Sequence, residues 1–159
     1  MNILKFLFAI FLSFLPGLLG IMVAPISAGN NEWYTSLTES VLTPAAWVFS
    51  GVWTILYFMI GIALYLIMRK QDSVKHSYTT NAYIWFTLNI VFNALWSFAF
   101  FGVHSPVYAL VVLMGLIIIA IFMARAFCRI SKSACWLTLP YVFWLMFAFY
   151  LNWVIVYLN

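Results

Sequence analysis

Along the chain, apolar residues gather into five long runs separated by short polar joints: Ile3–Ala24, Thr43–Met68, Ala82–Gly102, Pro106–Ala124 and Ala134–Leu158. A helix needs about 20 mostly apolar residues to cross the hydrocarbon core of a bilayer, and each run is of that order. The one charged residue inside them is Lys5, close enough to an end for its ammonium to reach water while its stem stays in lipid. The runs are apolar all round and lack the in–out alternation of a transmembrane strand, so a β-barrel is excluded. The fourth is the plainest, with no aromatic ring from Leu110 until Phe122. The first has the outline of a signal peptide, with Lys5 before it and Ser27-Ala28 after it. Its apolar stretch exceeds the roughly 7–15 residues of such a segment, so it is read as a retained helix. The predicted fold class is an all-α integral membrane protein, a five-transmembrane-helix bundle forming a single domain over residues 1–159.

Composition sharpens this picture. Of the 159 residues, 67% are hydrophobic and 6% charged, against about a quarter charged in soluble domains. Disorder, collagen and nucleic-acid modules are excluded, since none carries so much apolar mass. The net charge of +4 comes from cations too scattered to make a phosphate-binding stripe. Their placement is a topology signal. Arg69, Lys70 and Lys75 follow the second run, and Arg125, Arg129 and Lys132 follow the fourth, whereas Glu32 and Glu39 lie between the first and second. The positive-inside rule puts the 69–80 and 125–133 connections in the cytoplasm. The N-terminus is then inside and the C-terminus outside. The long connection around Gly29–Leu42 is extracytoplasmic.

Catalytic chemistry is scarce. Glu32, Glu39 and Asp72 are all in loops, leaving no carboxylate pair within the bundle. His76 and His104 fall on opposite sides of the membrane and cannot share a metal. Cys128 and Cys135, seven residues apart, fit no zinc pattern. A disulfide there would face a reducing compartment, so both are read as small apolar fillers. No cofactor or metal is expected. An ion-coupled pump is disfavoured, because the spans carry no ionisable group at mid-membrane.

The aromatic residues carry more information. Eight tryptophans is a large number for this length. Trp33, Trp136 and Trp153 sit near span ends, as in an interfacial belt; Trp53, Trp96 and Trp144 sit too far inside. Phe49, Trp53 and Tyr57 recur at i, i+4 and i+8 and share one face of the second span. Trp85, Asn89, Asn93 and Trp96 make a stripe on the third, and Tyr141, Trp144, Ala148 and Leu151 one on the fifth. An Asn amide turned to lipid costs several kcal/mol, so the Asn89/Asn93 stripe is expected to face the interior. Two roles stay open for it: polar glue between helices, or part of a binding site. An interior of flat rings and a few polar groups suits a large, planar, mostly apolar ligand.

At these residues the sequence resembles the translocator proteins, also called tryptophan-rich sensory proteins or peripheral benzodiazepine receptors. The resemblance is carried by Trp33-Tyr34-x-x-Leu37, by Pro44-x-x-Trp47-x-Phe49-x-x-x-Trp53-x-x-Leu56-Tyr57, by Asn93-x-x-Trp96-x-x-x-Phe100-Phe101-Gly102, and by Pro140-Tyr141-x-x-Trp144-x-x-Phe147-Ala148-x-x-Leu151-Asn152. It implies a pocket near the first long loop that binds porphyrins, haem-like tetrapyrroles, sterols or benzodiazepine-type drugs. Its residues would be Tyr34, Trp47, Phe49, Trp53, Tyr57, Asn93, Trp96, Tyr108, Trp144, Phe147, Ala148 and Leu151. The implied function is a receptor or carrier. The alternatives are a light-dependent porphyrin-degrading enzyme using Trp53 and Trp144, and a ligand-free structural or transporter-accessory protein. The implied partners are a porphyrin or haem-like ligand, the bilayer, a sterol, and a second copy in a homodimer. A bacterial inner membrane is the expected location.

The chain departs from the family pattern in places. Glu39-Ser40 and Ala45 stand where the family has a basic residue and prolines, which frees the loop backbone. The ending Val156-Tyr157-Leu158-Asn159 has no basic residue after its tyrosine, unlike the sterol motif of animal members. The third span lacks a Gly-x-x-x-Gly pair for dimer packing, and Gly17 and Gly20 on the first offer small surfaces instead.

Overall fold

The computed structural model describes residues 2–23 and 32–159. The expected end of the first span at Ala24 and the pair Ser27-Ala28 lie outside the described residues. Five helices long and apolar enough to cross a membrane are present. In chain order the elements are α1 (Ile3–Val23), a short α2 (Glu32–Ser36), α3 (Ala46–Lys70), a 3₁₀ turn (Gln71–Ser73), α4 (His76–Ser97) running into a π-helical turn (Phe98–Gly102), α5 (Pro106–Ile130) and α6 (Lys132–Leu158).

The spans expected from the apolar runs are all helices, but their ends differ. The third span, α4, begins at His76 rather than Ala82, and the fourth, α5, continues past Ala124 to Ile130. Apolar runs mark where the chain crosses hydrocarbon; backbone hydrogen bonding continues into the polar layer wherever the next residues tolerate a helix. The connection expected over 125–133 therefore shrinks to one non-helical residue. Ser131 is extended (φ −150°, ψ 117°), and its N–H donates to Phe127 O at 2.8 Å. This tight joint corrects the reading of the cysteines. Cys128 and Cys135 are bonded to each other, their Cα atoms 4.5 Å apart, because the last turn of α5 and the first of α6 lie side by side.

Helix α1 packs on α3 and α4, α6 on α3 and α5, and α4 on α5. The long helices thus form a closed ring in the order α1–α3–α6–α5–α4. Small residues set the closest approaches. A Cβ on Gly61 of α3 would stand 2.7 Å from Ser13 Oγ and 3.0 Å from the Ile10 Cα of α1, so nothing larger fits that crossing. One on Gly17 would meet Tyr57 Cε2 at 3.0 Å, and one on Gly20 would meet Ser97 Oγ at 3.2 Å. Both glycines face their own bundle, which corrects their reading as a surface for a second copy. Large aliphatic side chains turn outward: Val107, Val111, Met114 and Ile118 form an exposed stripe on α5. The opposite face of α5, with Ala109, Leu113, Leu116 and Ala120, is buried.

Candidate functional site

Two aromatic clusters occupy the half of the bundle opposite the basic joints. The inner one lies between α3 and α6. On α3, spacing by four places Phe49, Trp53 and Tyr57 in a column, with centroids 6.1 Å apart for Phe49–Trp53 and 5.3 Å for Trp53–Tyr57. Spacing by three on α6 brings Tyr141, Trp144 and Phe147 round to meet it. Phe49 is 5.7 Å from Trp144, and the Trp53 ring stands edge-on to Tyr141 at 6.2 Å and to Trp144 at 6.5 Å. Trp144 in turn touches Phe147 at 5.4 Å.

Beneath these rings a hydrogen-bond chain ties three helices together. The Tyr57 hydroxyl donates to Asn93 Oδ1 (3.1 Å), Asn93 Nδ2 donates to the Tyr141 hydroxyl (3.0 Å), and that hydroxyl donates to Asn89 Oδ1 (3.2 Å). Both asparagines are buried. The glue role left open for them is therefore filled, since α3, α4 and α6 are all bonded through Asn93 and Tyr141. The chain stops short of full satisfaction. Asn89 Nδ2 and Trp144 Nε1 are buried N–H donors with no acceptor. The Tyr65 hydroxyl is a third such atom, two turns further along α3 beside Phe6. Leaving a buried donor unpaired costs about 1–3 kcal/mol; Trp144 Nε1, within the ring cluster, and Asn89 Nδ2, on the hydrogen-bond chain beneath it, are two unused donors here.

The outer cluster is a strap over the end of α4. Trp33 of α2 stacks on the His104 ring at 4.5 Å and meets Phe100 edge-on at 5.5 Å, while Tyr34 lies 6.1 Å from both Phe100 and Phe101. Trp96 stacks under Phe100 at 5.6 Å and donates its indole N–H to Asn152 Oδ1 of α6 at 3.2 Å. The π-helical turn turns Phe100 and Phe101 to this side. His104 follows at φ 55°, in the left-handed region that non-glycine residues seldom adopt. The strap is pinned at its far end as well. Thr38 N donates to Asn159 Oδ1 at 2.9 Å, and Asn159 Nδ2 returns a bond to Thr38 O at 3.1 Å. Burial, together with a hydrogen bond to Glu39 and the Glu39 charge, pushes the Tyr34 phenol well above its ordinary range and keeps it a donor.

This arrangement offers apolar rings and two idle donors; among the described residues no His, Cys, Asp and Glu cluster could hold a metal. Residues 9–158 match the TspO/MBR family. The chain belongs to this family. It is 37% identical to the tryptophan-rich protein TspO of Chlorobaculum tepidum, covering 80% of this chain and 79% of that one. It is 34% identical to the tryptophan-rich protein TspO of Archaeoglobus fulgidus over 100% of this chain and 99% of the relative. The translocator protein of Bos taurus is 29% identical over 91% of this chain and 85% of its own.

In this TspO/MBR chain the residues singled out from sequence do not all converge. Phe49, Trp53, Tyr57, Asn93, Trp144 and Phe147 come together between α3 and α6. Tyr34 and Trp96 belong to the outer cluster. Ala148 and Leu151 are buried on α6, one and two turns beyond Trp144. Trp47 and Tyr108 stand outside, 79% and 66% exposed. Trp47 precedes Phe49 by two residues, about 200° round a helix, which carries it off the aromatic column. Tyr108 adjoins Ala109, and it is the alanine that faces inward. Asn152, Phe100 and His104 were not among the expected site residues. Asn152 was legible as the next helical step after Ala148; His104 and the turn before it carry no such periodic signal.

Proposed function

We propose that this TspO/MBR protein is a membrane receptor or carrier that binds porphyrins and other large planar apolar ligands against the inner aromatic cluster. The observation that carries this reading is two buried donors without a partner, Asn89 Nδ2 and Trp144 Nε1, at a cluster of tilted and edge-on aromatic rings. A tetrapyrrole supplies both complements: a flat hydrophobic body, and carbonyl or carboxylate oxygens at its edge. The relatives' names, tryptophan-rich and translocator, are compatible with such a role. With the basic joints facing the cytoplasm, the outer cluster opens to the other side, and the strap over α4 is the entry. A bacterial inner membrane and a homodimeric assembly belong to the same proposal. The test is to add protoporphyrin to the purified protein in the dark. Saturable tryptophan quenching supports the reading; no quenching at micromolar ligand overturns it.

A second reading is favoured by the contact of Trp53 with Trp144, Tyr57 and Tyr141, a run of easily oxidised rings. Such a run could pass an electron during light-driven porphyrin oxidation with dioxygen as oxidant. Illuminating the same sample separates the two: a new chromophore indicates turnover, and an unchanged spectrum indicates binding alone.

A further inference from the structure

At the opposite end of the bundle, α4 and α5 border two adjoining surface depressions of about 590 and 290 Å³ that share Asn81 and Trp85. Their walls are ordered. On α4 the lining begins with His76, Ser77 and Thr80 and passes to Ile84 and Trp85. On α5 it begins with Arg129 and Arg125 and passes to Phe122. The two helices run antiparallel, yet both read polar to apolar in the same direction, from the bundle's end towards its middle, over roughly 10–14 Å. Trp85 and Phe122 stack at 4.8 Å with planes 15° apart and form the apolar floor. The Arg125 guanidinium lies 5.7 Å from the centre of the Phe122 ring, which holds it over the same spot. None of the chain's three acidic residues, Glu32, Glu39 and Asp72, lies on α4 or α5.

We propose that this groove is a binding site for one anionic phospholipid of the surrounding leaflet, its headgroup phosphate between Arg125 and Arg129 and an acyl chain along Trp85 and Phe122. Charge and shape both select the occupant. Two arginines without carboxylates call for an anion, and guanidinium groups suit phosphate oxygens well. The polar-to-apolar gradient matches an amphiphile lying along the bilayer normal, and basic clefts between transmembrane helices at the interface are suited to acidic headgroups. A soluble phosphate would leave the Trp85–Phe122 floor uncovered. The site is separate from the aromatic clusters and does not depend on what binds there.

The test uses the full chain in detergent, titrated with phosphatidylglycerol or with phosphatidylcholine of the same acyl chains, and counts bound lipid by native mass spectrometry. Two interfacial cations predict a preference for phosphatidylglycerol on the order of tenfold. The double variant Arg125→Gln/Arg129→Gln should bring the lipids to parity, while Arg69→Gln/Lys70→Gln, at the same end but outside the groove, should keep the preference. Parity in the unaltered protein, or equal loss in both double variants, overturns the site. Should the groove variant fail to fold, brominated acyl chains give a second readout. The quenching that disappears in Trp85→Phe should be larger with brominated phosphatidylglycerol than with brominated phosphatidylcholine, and equal quenching contradicts the proposal. Displacement of the lipid by millimolar glycerol phosphate would reassign the groove to a soluble phosphate and overturn the lipid.

Discussion

The inner and outer aromatic clusters are built from the same residue types and differ in what fixes them. Between α3 and α6 the rings stand on long helices, and a buried hydrogen-bond chain through Asn93 and Tyr141 sets their spacing. Over α4 the rings of Trp33 and Tyr34 come from a five-residue helix whose position depends on stacking and on the Thr38–Asn159 bonds near the surface. A side chain on a long packed helix moves only if the bundle deforms. One on a short strap moves when a few exposed contacts break, because local opening requires little of the global stability. The inner cluster should therefore govern how tightly a ligand is held, and the outer cluster how fast it enters and leaves.

The largest effect that would break this contrast is at Tyr141. Tyr141→Phe keeps the ring but strands Asn93 Nδ2 and Asn89 Oδ1 in the core. A loss of about 2 kcal/mol is expected for two orphaned polar groups, read as a lowered melting temperature in detergent. A melting temperature equal to wild type would mean that the chain of bonds does not fix the cluster. Next comes Trp53→Phe, which removes the oxidisable indole while its N–H and its place in the column are largely replaceable. Ligand affinity should weaken by no more than about 1 kcal/mol, while any light-driven turnover falls much further; equal losses would limit Trp53 to shaping the site.

Smaller effects are expected at the strap. Asn159→Ala removes the exchange of bonds with Thr38. These are surface bonds, so stability should change by about 0.5–1 kcal/mol at most, whereas stopped-flow entry and exit rates should both rise with the affinity nearly unchanged. A change in affinity without a change in rates would reverse the division of labour. The smallest effect is the pH response of the Tyr34–Glu39 contact. The Tyr34 pKa is raised in the folded protein, so the contact contributes fully below the ordinary tyrosine range near pH 10 and is lost as pH rises above it. Entry rates should therefore be flat from pH 7 to 9. A step within that window would assign the response to another group.

How much of this was legible beforehand depended on whether a feature is local. The five spans were readable because long apolar runs without charges have one stable solution in a bilayer. The Phe49–Trp53–Tyr57 column was readable from its spacing alone, as was the inward turn of Asn89 and Asn93. The outward position of Trp47 was readable too, since it is out of phase with that column. Helix ends were not, because the residues from His76 to Asn81 and from Arg125 to Ile130 are polar enough to leave hydrocarbon and still helical. The Cys128–Cys135 bond was hidden for the same reason: a separation of seven says nothing about distance until the joint at Ser131 is known to be one residue long. Nor does any periodicity announce the π-helical turn at Phe98–Gly102, which decides where Phe100 and Phe101 point. If the basic end faces the cytoplasm, as proposed, that cysteine pair should be reduced in living cells. Alkylation before lysis should label both thiols, and protection of both would place this end in an oxidising compartment.

The most direct test of a ligand at the inner cluster is Trp144→Phe, with melting temperature and dark protoporphyrin affinity measured on one preparation. The substitution removes an N–H that is buried without an acceptor and keeps an apolar ring in its place. If the indole N–H is reserved for a ligand oxygen, the empty protein should melt at the same temperature or higher, since an unsatisfied donor has gone. Affinity should drop about fivefold, the equivalent of one hydrogen bond of about 1 kcal/mol. Affinity equal to wild type, or a fall in melting temperature that accounts for the lost binding, would contradict a ligand at this site.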